Sequence, residues 1–334
     1  MSIVDYWRPT EIDDLRSQLK YNYARWNRNA ILRLGFLLLR KRSFERQREN
    51  FRRVVDQNLT LTSRAYLSEL ELDADPPQAD IYCAGSDQIW NTDYHVGGVE
   101  PFFLAFAPLR ARRFSLSSSF GKPVINEVER RHIDRYLKNF DGVSLREQSG
   151  VEIVKDSGVN AIHLVDPTLA LDPSIWAQLA DDTAVPKNPY LLVYQLHRSH
   201  DLAAIVRRVR EERDLKPIFI RAYATPQNLL GRTVSNTTTN QFLGLMRSAS
   251  YIITDSFHGT AFALNFGIPF NSVSPRKYGE RLNNILKLTG TVERGQVSSE
   301  DVPETSNLET EKVAKILAVE RLRVSEYLKT MLTN

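Results

Sequence analysis

Short apolar runs recur along the chain, separated by stretches whose apolar residues fall at helical spacing. That pattern predicts a parallel sheet with crossover helices. In the first half the spacing predicts strands at Asp80 to Ala84, Arg113 to Ser117, Gly142 to Leu145 and Ala161 to Val165, with helices at Val124 to Asn139 and Arg146 to Ser157. In the second half strands are predicted at Tyr190 to Gln195, Pro217 to Arg221, Tyr251 to Thr254 and Phe270 to Val273. Helices are predicted there at His200 to Arg213, Thr239 to Ala249, Thr260 to Phe266, Glu280 to Thr289 and Glu309 to Leu332, the last packing back across the domains. The segment from Asp166 to Pro189 holds Pro167, Pro173, Pro186 and Pro189, which marks a connection between two α/β domains. The expected division is residues 1–170 and 171–334. No internal repeat or low-complexity tract interrupts it.

Composition supports a globular chain. Of 334 residues, 42% are hydrophobic and 25% charged, enough apolar material for a large core. The single Cys83 excludes an internal disulfide or a cysteine-based zinc site and suits a reducing, cytoplasmic compartment. No N-terminal signal pattern is visible. The longest apolar stretch, Ala30 to Leu39, is short and interrupted by Arg33, so no membrane span is expected.

Net charge is only +4, but its distribution is uneven: Arg16 to Arg53 carries twelve Lys/Arg against two Glu. Two readings stand for residues 16–53: a solvated helical surface, or contact with the inner face of an anionic membrane. In the second, Tyr21, Tyr23, Trp26, Leu32, Leu34, Phe36 and Leu37 to Leu39 would rest among arginines. No nucleic-acid-binding motif accompanies the basic stretch, so nucleic acid is not an expected partner.

Three strand-to-loop junctions carry the candidate chemistry. In YIITDSFHGTAFALNFGIPF a strand ends at Thr254, and Asp255, Ser256, His258, Gly259 and Thr260 lead into a helix start that presents N–H groups to an anion. His258 has the ordinary pKa of a proton donor or acceptor at working pH. In DGVSLREQSGV, Arg146 stands at a strand terminus, where a guanidinium holds a carboxylate or phosphate through paired hydrogen bonds, or else forms an ion pair with Glu147 or another surface carboxylate. In IYCAGSDQIWN, Gly85 admits close backbone approach, while Ser86, Asp87, Gln88 and Asn91 supply donors and acceptors for sugar hydroxyls. The run SLSSSFGK adds Ser118, and SPRKYGERL adds Arg276, Lys277 and Arg281, which read equally as a cluster for a phosphorylated donor or a lipid diphosphate and as a solvated helix start. His197 and His200 lack partners at metal-ligand spacing and are read as surface residues. No GxGxxG, Walker A, GxSxG or HExxH pattern is present, which weighs against dinucleotide oxidoreductases, P-loop kinases, serine hydrolases and zincins.

Four motifs together resemble the polysaccharide pyruvyl transferase family: GSDQIWN at 85–91, SLREQSG at 144–150, VDPTLAL at 165–171 and TDSFHGTAFALNFGIPF at 254–270. The resemblance spans roughly residues 80–290. It implies a GT-B-like fold, with two Rossmann-like domains facing a cleft, the first on the acceptor side and the second on the donor side. It also implies transfer of pyruvyl from phosphoenolpyruvate to hydroxyls of a sugar, free or lipid-linked, in a surface polysaccharide, with no metal or organic cofactor. By the same resemblance His258 matches the family histidine implicated in catalysis or donor binding, and Arg146 the arginine that holds phosphoenolpyruvate. In a mechanism consistent with these residues, Asp87 or Asp255 is expected to take the hydroxyl proton. Where some members have Arg-Leu before the histidine, this chain has Ser256 and Phe257, so a donor contact is expected from Arg276 or Arg281 instead. The chain opens near a segment, DYWRP, that follows the first strand–loop–helix unit in the family, so that unit is expected to be missing. Two other readings are a GT-B glycosyltransferase using a nucleotide-sugar and a non-catalytic glycan-binding homologue.

Overall fold

The computed structural model describes residues 1–7, 28–93, 98–197, 199–221, 230–274, 279–296, 298 and 307–333. Its strands are β1 Ile3–Tyr6, β2 Leu61–Tyr66, β3 Ile81–Ala84, β4 Arg112–Ser115, β5 Val143–Leu145, β6 Ala161–His163, β7 Tyr190–Tyr194, β8 Lys216–Arg221, β9 Arg232–Ser235, β10 Tyr251–Thr254, β11 Phe270–Val273 and β12 Gly295–Gln296. The helices are α1 Ala30–Asn58, α2 Glu69–Ala74, α3 Glu127–Tyr136, α4 Gln148–Lys155, α5 Pro167–Ala170, α6 Pro173–Leu179, α7 His200–Arg213, α8 Thr239–Arg247, α9 Phe257–Phe266, α10 Glu280–Thr289 and α11 Thr310–Thr333. Every strand pair is parallel. The α/β class read from the alternation is therefore the class found.

In the second half one six-stranded sheet runs β12-β11-β10-β7-β8-β9. Its central strands are buried on both faces, because successive side chains point to opposite sides of a strand. Leu192 and Ile252 pack with Ala261 and Phe270 on one side, while Leu191, Val193, Tyr251 and Ile253 pack with Val206 and Phe219 on the other. The uninterrupted apolar runs YLLVY and YIIT are what double-sided burial requires.

The first half is built from β3-β4 and β5-β6, with a core around Trp90, Phe103, Phe120, Ile133, Leu145 and Val154. Serine hydroxyls join β4 to β5. Ser115 Oγ donates to the Ser144 carbonyl (3.0 Å), Ser144 Oγ donates to the Ser115 carbonyl (2.7 Å), and the Ser117 N–H donates to Ser144 Oγ (2.9 Å). Arg146 continues the pairing, its N–H donating to the Ser118 carbonyl at 3.0 Å. The β5 end is thus held rigidly where the site begins.

Three local departures from the sequence expectations have physical causes. The proline-dense segment folds into α5 and α6: Asp166-Pro167 and Asp172-Pro173 each place a capping carboxylate before a proline in the first turn, where its missing N–H costs nothing. Helix α9 starts at Phe257 rather than Thr260, because Ser256 Oγ accepts from the Gly259 N–H (3.3 Å) and caps the helix. Asn126 and Glu129 form a reciprocal capping box, so α3 begins at Glu127 rather than Val124.

Helix α11 buries Val313, Leu317 and Val324 against the second core. Farther along, Tyr327 Oη donates to the Ser115 carbonyl at 2.9 Å and Arg112 Nη1 to the Met331 carbonyl at 3.0 Å, so the helix reaches β4 as well.

Candidate functional site

The β5 strand ends by delivering Arg146 into a buried position. A buried guanidinium needs a counter-charge and filled hydrogen bonds. Asp166 supplies the charge, with Oδ2 2.6 Å from Arg146 Nη2; both side chains are only 2% exposed. Asp166 is itself fixed as the cap of α5, where Oδ1 accepts from the Thr168 N–H (2.9 Å) and Oγ1 (2.6 Å). Ser86 Oγ donates to Asp166 Oδ2 at 2.7 Å and also accepts from Arg146 Nη2. Burial would raise the Asp166 pKa, but Arg146, His258 and the bonds from Thr168 outweigh it and hold the carboxyl below its ordinary value.

Above this pair stands a second, more exposed one. Asp87 Oδ1 lies 3.3 Å from Arg146 Nη1 and 3.0 Å from Arg281 Nη1, so one carboxylate oxygen bridges arginines from both halves of the chain. Its side chain is 56% exposed. The residue adopts φ 77°, a left-handed backbone that non-glycine residues seldom take without compensation. Burial works to raise its pKa, yet Arg146, His258 and Arg281 lower it further than burial raises it. The ring of Phe257 stacks beneath both guanidiniums, 4.8 Å from Arg146 and 5.6 Å from Arg281.

His258 occupies the first turn of α9, where unpaired backbone N–H groups and the helix dipole favour negative charge. Burial pushes its pKa below the ordinary histidine value. Arg146 and Arg281 push the same way, opposed by Asp166 and Asp87. The imidazole is therefore mainly neutral at pH 7 while the site holds only protein charges. Gly259 is needed for packing: a Cβ there would collide with the Thr254 side chain at the end of β10.

The structure thus gathers His258, Arg146, Asp87, Ser86 and Arg281. Gly85 borders the same loop, with open space where a Cβ would stand. Other expected site residues serve the scaffold around it. Ser118 is fully buried and donates to the Gly85 carbonyl (2.8 Å), fixing the β3 end. Asn91, also fully buried, donates to Gln88 Oε1 (2.9 Å) and accepts from the Asp93 N–H (3.1 Å), shaping the 88–93 turn. Buried Thr260 bonds Ser272, and Ser256 is the α9 cap. Asp255 is engaged by the loop after β7: its oxygens accept from the N–H groups of Leu196 (2.7 Å) and His197 (2.8 Å). Arg276 and Lys277 lie outside the described residues.

Two participants carried no signal as site residues in the sequence. Asp166 appears there only within VDPTLAL and at the head of the proline-dense segment. Glu147, fully buried, does not pair with Arg146; it accepts from Ser119 Oγ at 2.5 Å, and desolvation raises its pKa to about 7 against the opposing pull of Arg146, Ser119 and Arg281. Among the described residues no group of His, Cys, Asp and Glu is arranged to hold a metal ion.

The sequence model of the polysaccharide pyruvyl transferase family matches residues 4–276. The chain belongs to that family. All four motifs that carried the resemblance lie within the match, and three of them supply the charged cluster directly: Asp87 from GSDQIWN, Arg146 from SLREQSG and His258 from TDSFHG. VDPTLAL supplies Asp166. No curated relative matches this family member. Similar solved structures include a UDP-N-acetylglucosamine 2-epimerase with TM-score 0.49 and 14% identity, covering 84% of this chain and 85% of that one. The S. aureus MnaA–UDP co-structure gives TM-score 0.48 and 13% identity, covering 86% and 80%. UDP-GlcNAc 2-epimerase from Neisseria meningitidis bound to UDP-GlcNAc gives 0.46 and 12%, covering 85% and 83%. Among the described residues no helix is long and apolar enough to cross a membrane.

Proposed function

We propose that this family member is a phosphoenolpyruvate-dependent pyruvyl transferase that forms a ketal on hydroxyls of a surface-polysaccharide sugar and releases phosphate, its two halves facing a GT-B-like cleft. The observation that carries the reading is the bridge of Asp87 across Arg146 and Arg281 beside His258. A carboxylate of the protein rests where an anionic donor group would be held. Phosphoenolpyruvate carries a carboxylate and a phosphate, and either one can take over the guanidiniums that Asp87 occupies.

Donor binding releases Asp87 for base work and adds negative charge beside His258, which raises the histidine pKa toward the range of a proton donor. His258 then protonates the methylene carbon, turning it into a methyl group and leaving the adjacent carbon electrophilic. A sugar hydroxyl adds to that carbon and gives its proton to Asp87. The carbon–oxygen bond to phosphate breaks, a second hydroxyl adds, and the ketal closes. Two hydroxyl protons are consumed: one balances the new methyl group and one leaves with phosphate. Fixed guanidiniums and the α9 N-terminus stabilise the anionic oxygens throughout. In this scheme Asp255, which accepts from the N–H groups of Leu196 and His197, is assigned to holding that loop.

The test is phosphate release from phosphoenolpyruvate with a panel of free and lipid-linked galactosides, glucosides and mannosides. Acceptor-dependent release that drops about 10²- to 10⁴-fold in His258→Ala, with its melting temperature little changed, is the expected result. Turnover of a nucleotide-sugar with no response to phosphoenolpyruvate contradicts the reading and favours a glycosyltransferase.

A further inference from the structure

Helix α1 presents its apolar residues to solvent at one end. From Arg28 to Leu34 every residue is exposed. Ile31 (83% exposed), Leu34 (58%) and Leu38 (70%) follow at intervals of three and four, which places them on one face. The opposite side of the helix carries the anchoring contacts: Phe36, Ser43 and Phe44 are buried, Ser43 Oγ donates to Asn236 Oδ1 (2.8 Å) and Asn50 Nδ2 to the Asn236 carbonyl (3.0 Å). The exposed stripe is therefore not the face that carries these contacts. Charge is distributed along the helix in the same sense. Residues 30–42 contain Arg33, Arg40, Lys41 and Arg42 and no acidic residue, whereas Glu45, Glu49 and Asp56 all lie beyond.

We infer that residues 30–42 of α1 form a peripheral attachment surface for an anionic lipid bilayer, with Ile31, Leu34 and Leu38 entering the headgroup boundary and Lys41 and Arg42 meeting lipid phosphates. An amphipathic helix lying in the interface needs an exposed apolar face and flanking cations, and among the described residues this segment has both. Lys and Arg are attracted to an anionic surface, so the cations and the apolar stripe act together. A second copy of the chain fits less well, since pairing these turns would set four cations against four with no acidic partner among them. Nucleic acid would satisfy the cations and leave the leucines in water. Attachment would hold the site near a lipid-linked acceptor, but the inference stands independently of the proposed reaction.

Cosedimentation of the full chain with vesicles tests it. Phosphatidylcholine vesicles containing phosphatidylglycerol are expected to bind the protein at least about tenfold better than phosphatidylcholine alone, with binding weakened by salt. Leu34→Glu/Leu38→Glu and Lys41→Glu/Arg42→Glu should each cost about tenfold or more while leaving the melting temperature unchanged, because all four side chains are exposed. Absence of binding to anionic vesicles by the folded wild type overturns the inference, as does binding that neither double variant weakens. If light scattering shows a wild-type dimer that Leu34→Glu/Leu38→Glu dissociates, without vesicle binding, the face is a self-association surface and the inference fails. None of these outcomes depends on phosphoenolpyruvate turnover.

Discussion

Arg146 belongs to two ion pairs that differ in almost everything but the guanidinium. Its pair with Asp166 is sealed, 2.6 Å long, and tied to a helix cap and to Ser86. Its pair with Asp87 is longer, at 3.3 Å, open to solvent, shared with Arg281, and set on a left-handed backbone. Breaking a sealed pair strands a charge in a medium that cannot solvate it. An open pair dissociates at little cost because water or another anion takes its place. The sealed pair therefore fixes the arginine, while the open one keeps its outer nitrogen available for exchange with substrate. Rigidity and exchange reside on one side chain because its two ends meet different environments.

Arg146→Ala is the harshest way to test that division. It leaves Asp166 buried without its counter-ion, and a loss of about 3 to 5 kcal/mol of stability is expected along with essentially all turnover. Chemical denaturation alongside phosphate release measures both. A variant that melts like the wild type would show that the sealed pair is not structural.

A neighbouring carboxyl sharpens the comparison through pH. Glu147 sits beside Arg146 in sequence but bonds Ser119; Arg146, Arg281 and Glu280 are the charges that act on it. Its pKa of about 7 is raised above the ordinary 4.5, so between those values the folded state binds more protons than the unfolded state. Its contribution is thus fully present below about pH 4.5 and is lost as pH rises through about 7. Glu147→Gln keeps the hydrogen-bonding shape without the ionisation. Denaturation midpoints should show the variant gaining on the wild type from pH 5 to pH 8, by up to about 3 kcal/mol. Parallel pH profiles for the two proteins would mean that Glu147 is ionised in the fold.

The elements legible in the sequence are those whose environment is uniform. Tyr251–Thr254, Phe270–Val273, His200–Arg213 and Glu280–Thr289 are read to the residue, because strands buried on both faces and helices with one apolar side leave an unmixed pattern. The β1–β2 pair and β9 are absent from that reading. LTSRAY and RTVS are short, partly exposed and rich in polar residues, so tertiary pairing rather than periodicity makes them strands. The same contrast holds at the site. Arg146, His258 and Asp87 stand out because charged residues at strand ends are conspicuous, and Arg281 was singled out with the cations around it. Asp166 does not stand out, since Asp before Pro signals a cap, and only the fold shows that one carboxylate caps α5 and neutralises Arg146 at once. Ser118, Asn91 and Thr260 show the converse. Polar residues that look suited to sugar hydroxyls are taken up by backbone and neighbouring side chains in forming the loops.

The most direct measurement of the central claim is calorimetric binding of phosphoenolpyruvate to wild type, Asp87→Asn and Arg281→Ala. If Asp87 holds the place of the donor's anion, Asp87→Asn binds phosphoenolpyruvate about tenfold more tightly, through loss of a competing charge worth about 1.4 kcal/mol, yet turns it over more slowly. Arg281→Ala should bind it more weakly by a similar factor. Equal or weaker binding by Asp87→Asn, or unchanged binding by Arg281→Ala, would contradict the account.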